Sequence, residues 1–107
     1  MAKILLVNFE IGQGLRLATF LRVERHDVRV AESSVASLRG PQRVTDFDLV
    51  IVDASLREQS VRDLVTEIAT QRASSGPRPM VLCICRCYRG ARFELDLERR
   101  GARVVYV

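Results

Sequence analysis

The residues of this chain that could do chemistry fall into a few groups. Asp53 closes the continuous apolar run Asp48-Leu49-Val50-Ile51-Val52, and a carboxylate at the end of a buried strand is placed either to act beyond the strand or to accept backbone N–H bonds from the turn that follows. Cys83, Cys85 and Cys87 alternate, so in an extended strand all three point to one face. Zinc sites favour two residues between cysteines and need a fourth ligand, for which the chain offers only His26. The spacing therefore reads as Cys83 filling a core, with Cys85 and Cys87 more exposed near the strand end, and no metal site is expected. Gly12-Gln13-Gly14-Leu15-Arg16-Leu17, followed by Glu32, has the outline of a dinucleotide fingerprint. Leu17 stands where a third glycine must let helix and strand pack closely, and a flexible entry into a helix is the better account. Arg86, Arg89, Arg92, Arg99, Arg100 and Arg103 crowd the last third, among Glu94, Asp96 and Glu98. Such a patch suits an acidic protein partner or phosphate groups, or else a solvated helix face with i,i+4 ion pairs. Tyr88, Phe93 and Tyr106 are the aromatics near it, too few to support base stacking.

These residues must be positioned by short apolar runs alternating with amphipathic segments. Lys3 to Val7 is continuous and unalternating, as a strand buried on both faces requires. Helical spacing follows in Leu15, Leu17, Ala18, Phe20 and Leu21, up to about Arg25. Asp27 to Ala31 alternates like a half-exposed strand, and Ser33-Ser34 offers caps for a short helix ending at Gly40-Pro41. Asp48 to Asp53 is the best central strand. Val61, Leu64, Val65 and Ile68 make a helix between Glu58 and Arg72, Ser74 to Pro79 is a loop, and Met80 to Cys85 is a third buried run. A shorter helix around Phe93 and Leu97 ends at Gly101, and Ala102 to Val107 is the last strand. Strands alternating with helices imply βαβ units and a parallel sheet, and in such sheets ligands sit beyond the carboxyl ends of the strands. Asn8, Phe9, Glu10, Asp53 and Cys85 with its neighbours fall there.

At these strand ends the chain resembles a response-regulator receiver domain. The resemblance rests on Lys3-Ile4-Leu5-Leu6-Val7, His26-Asp27-Val28 with Ala31, Asp48 to Asp53, Pro79-Met80-Val81-Leu82, and Gly101-Ala102 leading to Tyr106. It implies an α/β three-layer sandwich with a five-stranded parallel sheet of order 2-1-3-4-5. It also implies chemistry: a phosphoacceptor carboxylate, an acidic pair for Mg²⁺, a hydroxyl and a lysine, because a phosphoryl group is transferred only when its charge is neutralised. Asp53 falls on the phosphoacceptor position. Asn8 and Phe9 fall where the acidic pair belongs, with Glu10 one residue further on; asparagine offers a hard cation one neutral oxygen and phenylalanine offers none. Alignment from Pro79 puts Ile84 at the hydroxyl position, and a one-residue insertion puts Cys85 there. Arg57 stands near where a proline usually follows the aspartate, and the chain ends at Val107, where the lysine and the last helix of a receiver would come.

Composition sets the frame. With 48% hydrophobic and 28% charged residues, 107 residues make one domain, 1–107, that buries roughly two-thirds of its unfolded surface. No apolar run is long enough to span a membrane, the N-terminus does not read as a signal peptide, and the odd cysteine count fits a reducing compartment, so a cytoplasmic protein is expected. The net charge of +4 permits an acidic partner without demanding one. With so many supporting positions changed, the resemblance points to an atypical receiver that is not an enzyme, needs no cofactor, and acts by protein–protein contact through Arg86, Arg89, Arg92, Arg99, Arg100, Arg103 and Tyr106. A missing last helix would uncover side chains such as Leu49, Ile51 and Val105, to be covered in a homodimer or by a signalling partner. Two alternatives stay open. One is an active receiver using Asp53 and Mg²⁺; the other is a nucleotide- or nucleic-acid-binding domain.

Overall fold

The structure, a computed structural model, describes residues 2–7, 9–31, 46–54, 58–72, 80–86 and 88–107. The elements run β1 (Lys3–Val7), α1 (Ile11–Val23), β2 (Asp27–Ala31), β3 (Leu49–Asp53), α2 (Glu58–Arg72), β4 (Met80–Cys85), α3 (Ala91–Arg99) and β5 (Ala102–Tyr106). The short helix expected after Ser33 and the loop expected at Ser74–Pro79 lie outside the described residues. The strands form one parallel sheet of order β2-β1-β3-β4-β5, the order implied by the strand-end resemblance.

Strand side chains alternate between two layers. Leu5 and Val7, Val50 and Val52, and Val81, Cys83 and Cys85 point to one face, where Val61, Leu64, Val65 and Ile68 of α2 and Phe93 and Leu97 of α3 complete the larger core. Ile4, Leu6, Val28 and Ile51 point to the other face and meet Ala18 of α1, with Leu17, Leu21 and Phe9 packed around them. The continuous runs in β1 and β3 thus reflect burial on both sides. Cys85, expected near the surface, is buried because the alternation that turns it inward beside Cys83 sends it into the larger core. Ile51, expected among uncovered side chains, is likewise buried under the α1 layer. On that same face Leu49, Leu82 and Ile84 are half-buried and Val105 is 40% exposed.

Helix α1 starts at Ile11, so Gly12 and Gly14 belong to its first turns rather than to a flexible entry. Gly14 has a packing reason: a Cβ there would lie 3.2 Å from the Phe9 Cβ and 3.4 Å from Val30 Cγ1. The helix ends in a Schellman motif, with His26 N–H donating to the Leu21 carbonyl (3.1 Å) and Arg25 N–H to the Arg22 carbonyl (2.9 Å). Its left-handed residue is Arg25, at φ 69°, where glycine is the usual choice because a Cβ crowds the following carbonyl. Helices α2 and α3 are tied by Asp96, whose carboxylate meets Arg62 Nε at 2.7 Å and Arg100 Nε at 3.2 Å. The hydrogen bond from Arg100, with the charges of Arg100 and Arg62 behind it, holds that carboxyl below the ordinary range against a smaller opposing effect of desolvation. Arg100 also donates to Thr66 on α2.

The left-handed position gives a stability test. Arg25→Gly removes the Cβ clash while leaving both motif hydrogen bonds, and it should raise unfolding stability by about 1 kcal/mol, read as a higher urea midpoint with an unchanged slope.

Candidate functional site

The carboxyl edge of the sheet gathers the ends of β1, β3 and β4. Asp53, the last residue of β3, is 4% exposed and is the one buried charged side chain among the described residues. The next residue, Ala54, donates its amide to the Ile84 carbonyl at 2.9 Å, which binds the start of the following turn to β4. Asp53 and Ile84 are register partners, and in a parallel pair such residues project to the same face. Cys85 projects to the opposite layer. The side chain standing beside the carboxylate is therefore the branched hydrocarbon of an isoleucine, with no hydroxyl or thiol to donate.

The described residue that turns inward after β1 is also apolar. Phe9 is half-buried and packs into the cluster of Ile4, Leu6, Ala18, Val28 and Ile51, against the space left by Gly14. Glu10 is the N-cap of α1 (φ −57°, ψ 142°); its side chain makes no cap hydrogen bond and is exposed, in the favourable field of the helix N-terminus. Asn8 lies outside the described residues, as do Arg57 and Cys87. From the far side, Arg86, directly after β4, donates to the Gln13 side chain on α1. Since β3 lies between β1 and β4, this bond straps the crevice at the end of β3.

The arginines expected to form one interaction surface take different places. Arg89 sits with its guanidinium carbon 5.6 Å from the Phe93 ring centroid, and Arg62, which the spacing of residues gave no reason to single out, lies 5.5 Å from the same ring; Phe93 is fully buried. Arg100 is held in the Asp96 and Thr66 contacts. Arg92, Arg99 and Arg103 are exposed. Beside them Tyr106 donates its hydroxyl to Glu94 at 2.9 Å, and its ring lies 5.8 Å from that of Tyr88. Desolvation, then the Glu94 carboxylate, push the Tyr106 phenol up to about 12. The Tyr88–Tyr106 pair is the feature sequence spacing did not bring together, because it joins the β4–α3 connection to β5.

His26 and Cys85 lie at opposite ends of the sheet. The imidazole Nδ1 accepts the Ala2 amide (3.1 Å) before β2 begins, whereas Cys85 ends β4. Among the described residues no group of three or more metal-binding side chains converges. Gly14, taken up by Phe9 and Val30, also leaves the dinucleotide outline with a packing explanation.

No family model matches the chain, and no curated protein matches it. Solved structures do. The non-phosphorylated HemR receiver domain from Leptospira biflexa is 24% identical over 100% of this chain and 81% of that one, with a TM-score of 0.77. A putative pilus assembly-related protein from Burkholderia pseudomallei is 19% identical over 99% of this chain and 78% of that one, with a TM-score of 0.74. The inactive form of the regulatory domain of the repressor of iron transport regulator, RitR, is 20% identical over 100% and 81%, with a TM-score of 0.70. The chain has the receiver-domain fold. No helix among the described residues is long and apolar enough to cross a membrane.

Burial, and then the neighbouring Cys85, raise the Cys83 thiol to about 12. Because the thiolate is the reactive form, Cys83 should resist alkylation by iodoacetamide at pH 8 in the folded protein and react on unfolding in urea, as peptide mapping by mass spectrometry would show.

Proposed function

We propose that this chain is an atypical receiver-type signalling domain of the cytoplasm that works through contact with another protein, takes no phosphoryl group and catalyses no reaction. The observation that carries this reading is the surroundings of Asp53. The neighbour on β4 is Ile84, and the residue turned inward after β1 is Phe9, which packs in the α1 layer. A phosphoryl group arriving at Asp53 would meet neither a hydroxyl donor at Ile84 nor a second carboxylate at Phe9 to hold Mg²⁺. The strap from Arg86 to Gln13 lies across the approach.

The contact surface in this proposal is the side formed by α3 and β5. Tyr88, Tyr106 and Leu95 are exposed there, flanked by the exposed Arg92, Arg99 and Arg103. Tyrosine and arginine side chains of this kind are enriched at the centres of protein interfaces. Signalling through such a surface is what the likeness to the HemR receiver and RitR regulatory domains suggests for this chain.

A second reading, an active receiver, keeps one support: Asp53 itself stands at the end of the central strand. Incubation with acetyl phosphate and Mg²⁺, followed by intact mass, separates the two. The expected result is no mass gain for the native chain. A gain of one phosphoryl group that Asp53→Asn abolishes would establish the active receiver instead.

A further inference from the structure

The two edges of the sheet differ in how their backbone groups are satisfied. At β2, Asp27 donates its amide to the Ala2 carbonyl (2.9 Å), so the alternation of a parallel ladder turns Asp27, Arg29 and Ala31 toward β1 and turns Val28 and Val30 outward. The outward Val28 carbonyl is taken by Arg22 Nη2 at 2.9 Å. At β5, Val107 donates to the Cys85 carbonyl (2.9 Å). The amides of Arg103, Val105 and Val107 therefore face β4, and those of Ala102, Val104 and Tyr106 face away. Among the described residues, no hydrogen bond reaches these outward groups.

The β5 edge also lacks most of the features that protect an edge strand. It has no proline, it carries a single charged residue, Arg103, and three of its five residues are β-branched or aromatic. A shallow groove lined by Glu98 and residues Gly101 to Val105 runs along it. The strand is moreover complementary to itself. In an antiparallel pair centred on Val104, the outward residues meet as hydrogen-bonded partners, Val104 with Val104 and Ala102 with Tyr106. Arg103 then stands directly opposite Val105, on the face away from α3; the two Arg103 side chains are diagonal neighbours and not direct partners.

We infer that a second copy of this chain binds at the β5 edge, antiparallel and centred on Val104, joining the two sheets. This deepens the interaction reading by naming one partner, and it concerns association alone, so phosphoryl uptake at Asp53 would overturn that reading and leave this one standing. The pairing has a signature that apolar burial does not share. Val105 is 40% exposed, so charge can be placed there, and each such substitution acts twice across the two-fold axis. Val105→Glu puts a carboxylate opposite each Arg103 and should tighten self-association roughly two- to tenfold; Val105→Arg opposes like charges and should weaken it by a similar factor. Val104→Pro removes an amide the monomer does not use and should abolish association.

Sedimentation velocity across a concentration series, with far-ultraviolet circular dichroism as the check on folding, reads all of these. Concentration-dependent dimerisation with opposite responses to Val105→Glu and Val105→Arg supports the pairing. A native chain that stays monomeric at high micromolar concentration overturns it, and so does weakening by both substitutions, which would mark an apolar contact through the sheet face. If Val104→Pro fails to fold, the two Val105 variants still decide.

Discussion

Strand β3 is hydrogen-bonded along both edges, to β1 and to β4, and covered on both faces by the two helical layers. Every side chain in it therefore answers to close packing, and the one polar group it carries, Asp53, can sit only at its end. Burial of a carboxylate is costly without partners, so the position that ends β3 is also the position where the sheet can present a charge. In a receiver fold that charge is the working group. Here the same architecture holds Asp53 at the end of β3, with Ile84 beside it on β4 and Phe9 packed in the α1 layer.

The placement of Phe9 has a structural logic: it turns toward α1 and fills the room that Gly14 leaves. The first connection of the sheet thus contributes to the smaller core, in which Ala18 of α1 is the only fully buried helical side chain among the described residues. On α3, Phe93 carries both Arg62 and Arg89 within contact of its ring. Arg89 and Arg100 are drawn into specific contacts with an aromatic ring and with α2, while Arg92, Arg99 and Arg103 stay exposed on the side formed by α3 and β5.

Most of the fold could be read from the residues, because burial on two faces leaves an unmistakable mark: the continuous runs of β1, β3 and β4, and the helical spacing of Val61, Leu64, Val65 and Ile68. The location of Asp53 at a strand end was equally legible. What spacing could not decide was direction. Whether Ile84 or Cys85 stands beside Asp53 depends on the register of β4 against β3, a property of two strands separated by an entire helix. The fate of Phe9 depends on a glycine in the next element. The roles of Arg62, Arg89 and Arg100 depend on how α2 and α3 meet. These are three-dimensional facts with no periodic signature in one dimension.

The hydrogen bond from Arg22 to the Val28 carbonyl looks like a minor detail of the α1–β2 packing, yet it bears on stoichiometry. Joining two copies through β5 leaves a β2 strand at each outer end of the combined sheet, and each of those ends already has an outward carbonyl claimed by its own helix. Pairing on the two-fold axis uses the β5 edge of both copies at once and leaves a β2 edge at each end. An assembly built this way terminates at a closed pair and does not propagate into a fibril, which is the hazard that open β-edges otherwise carry.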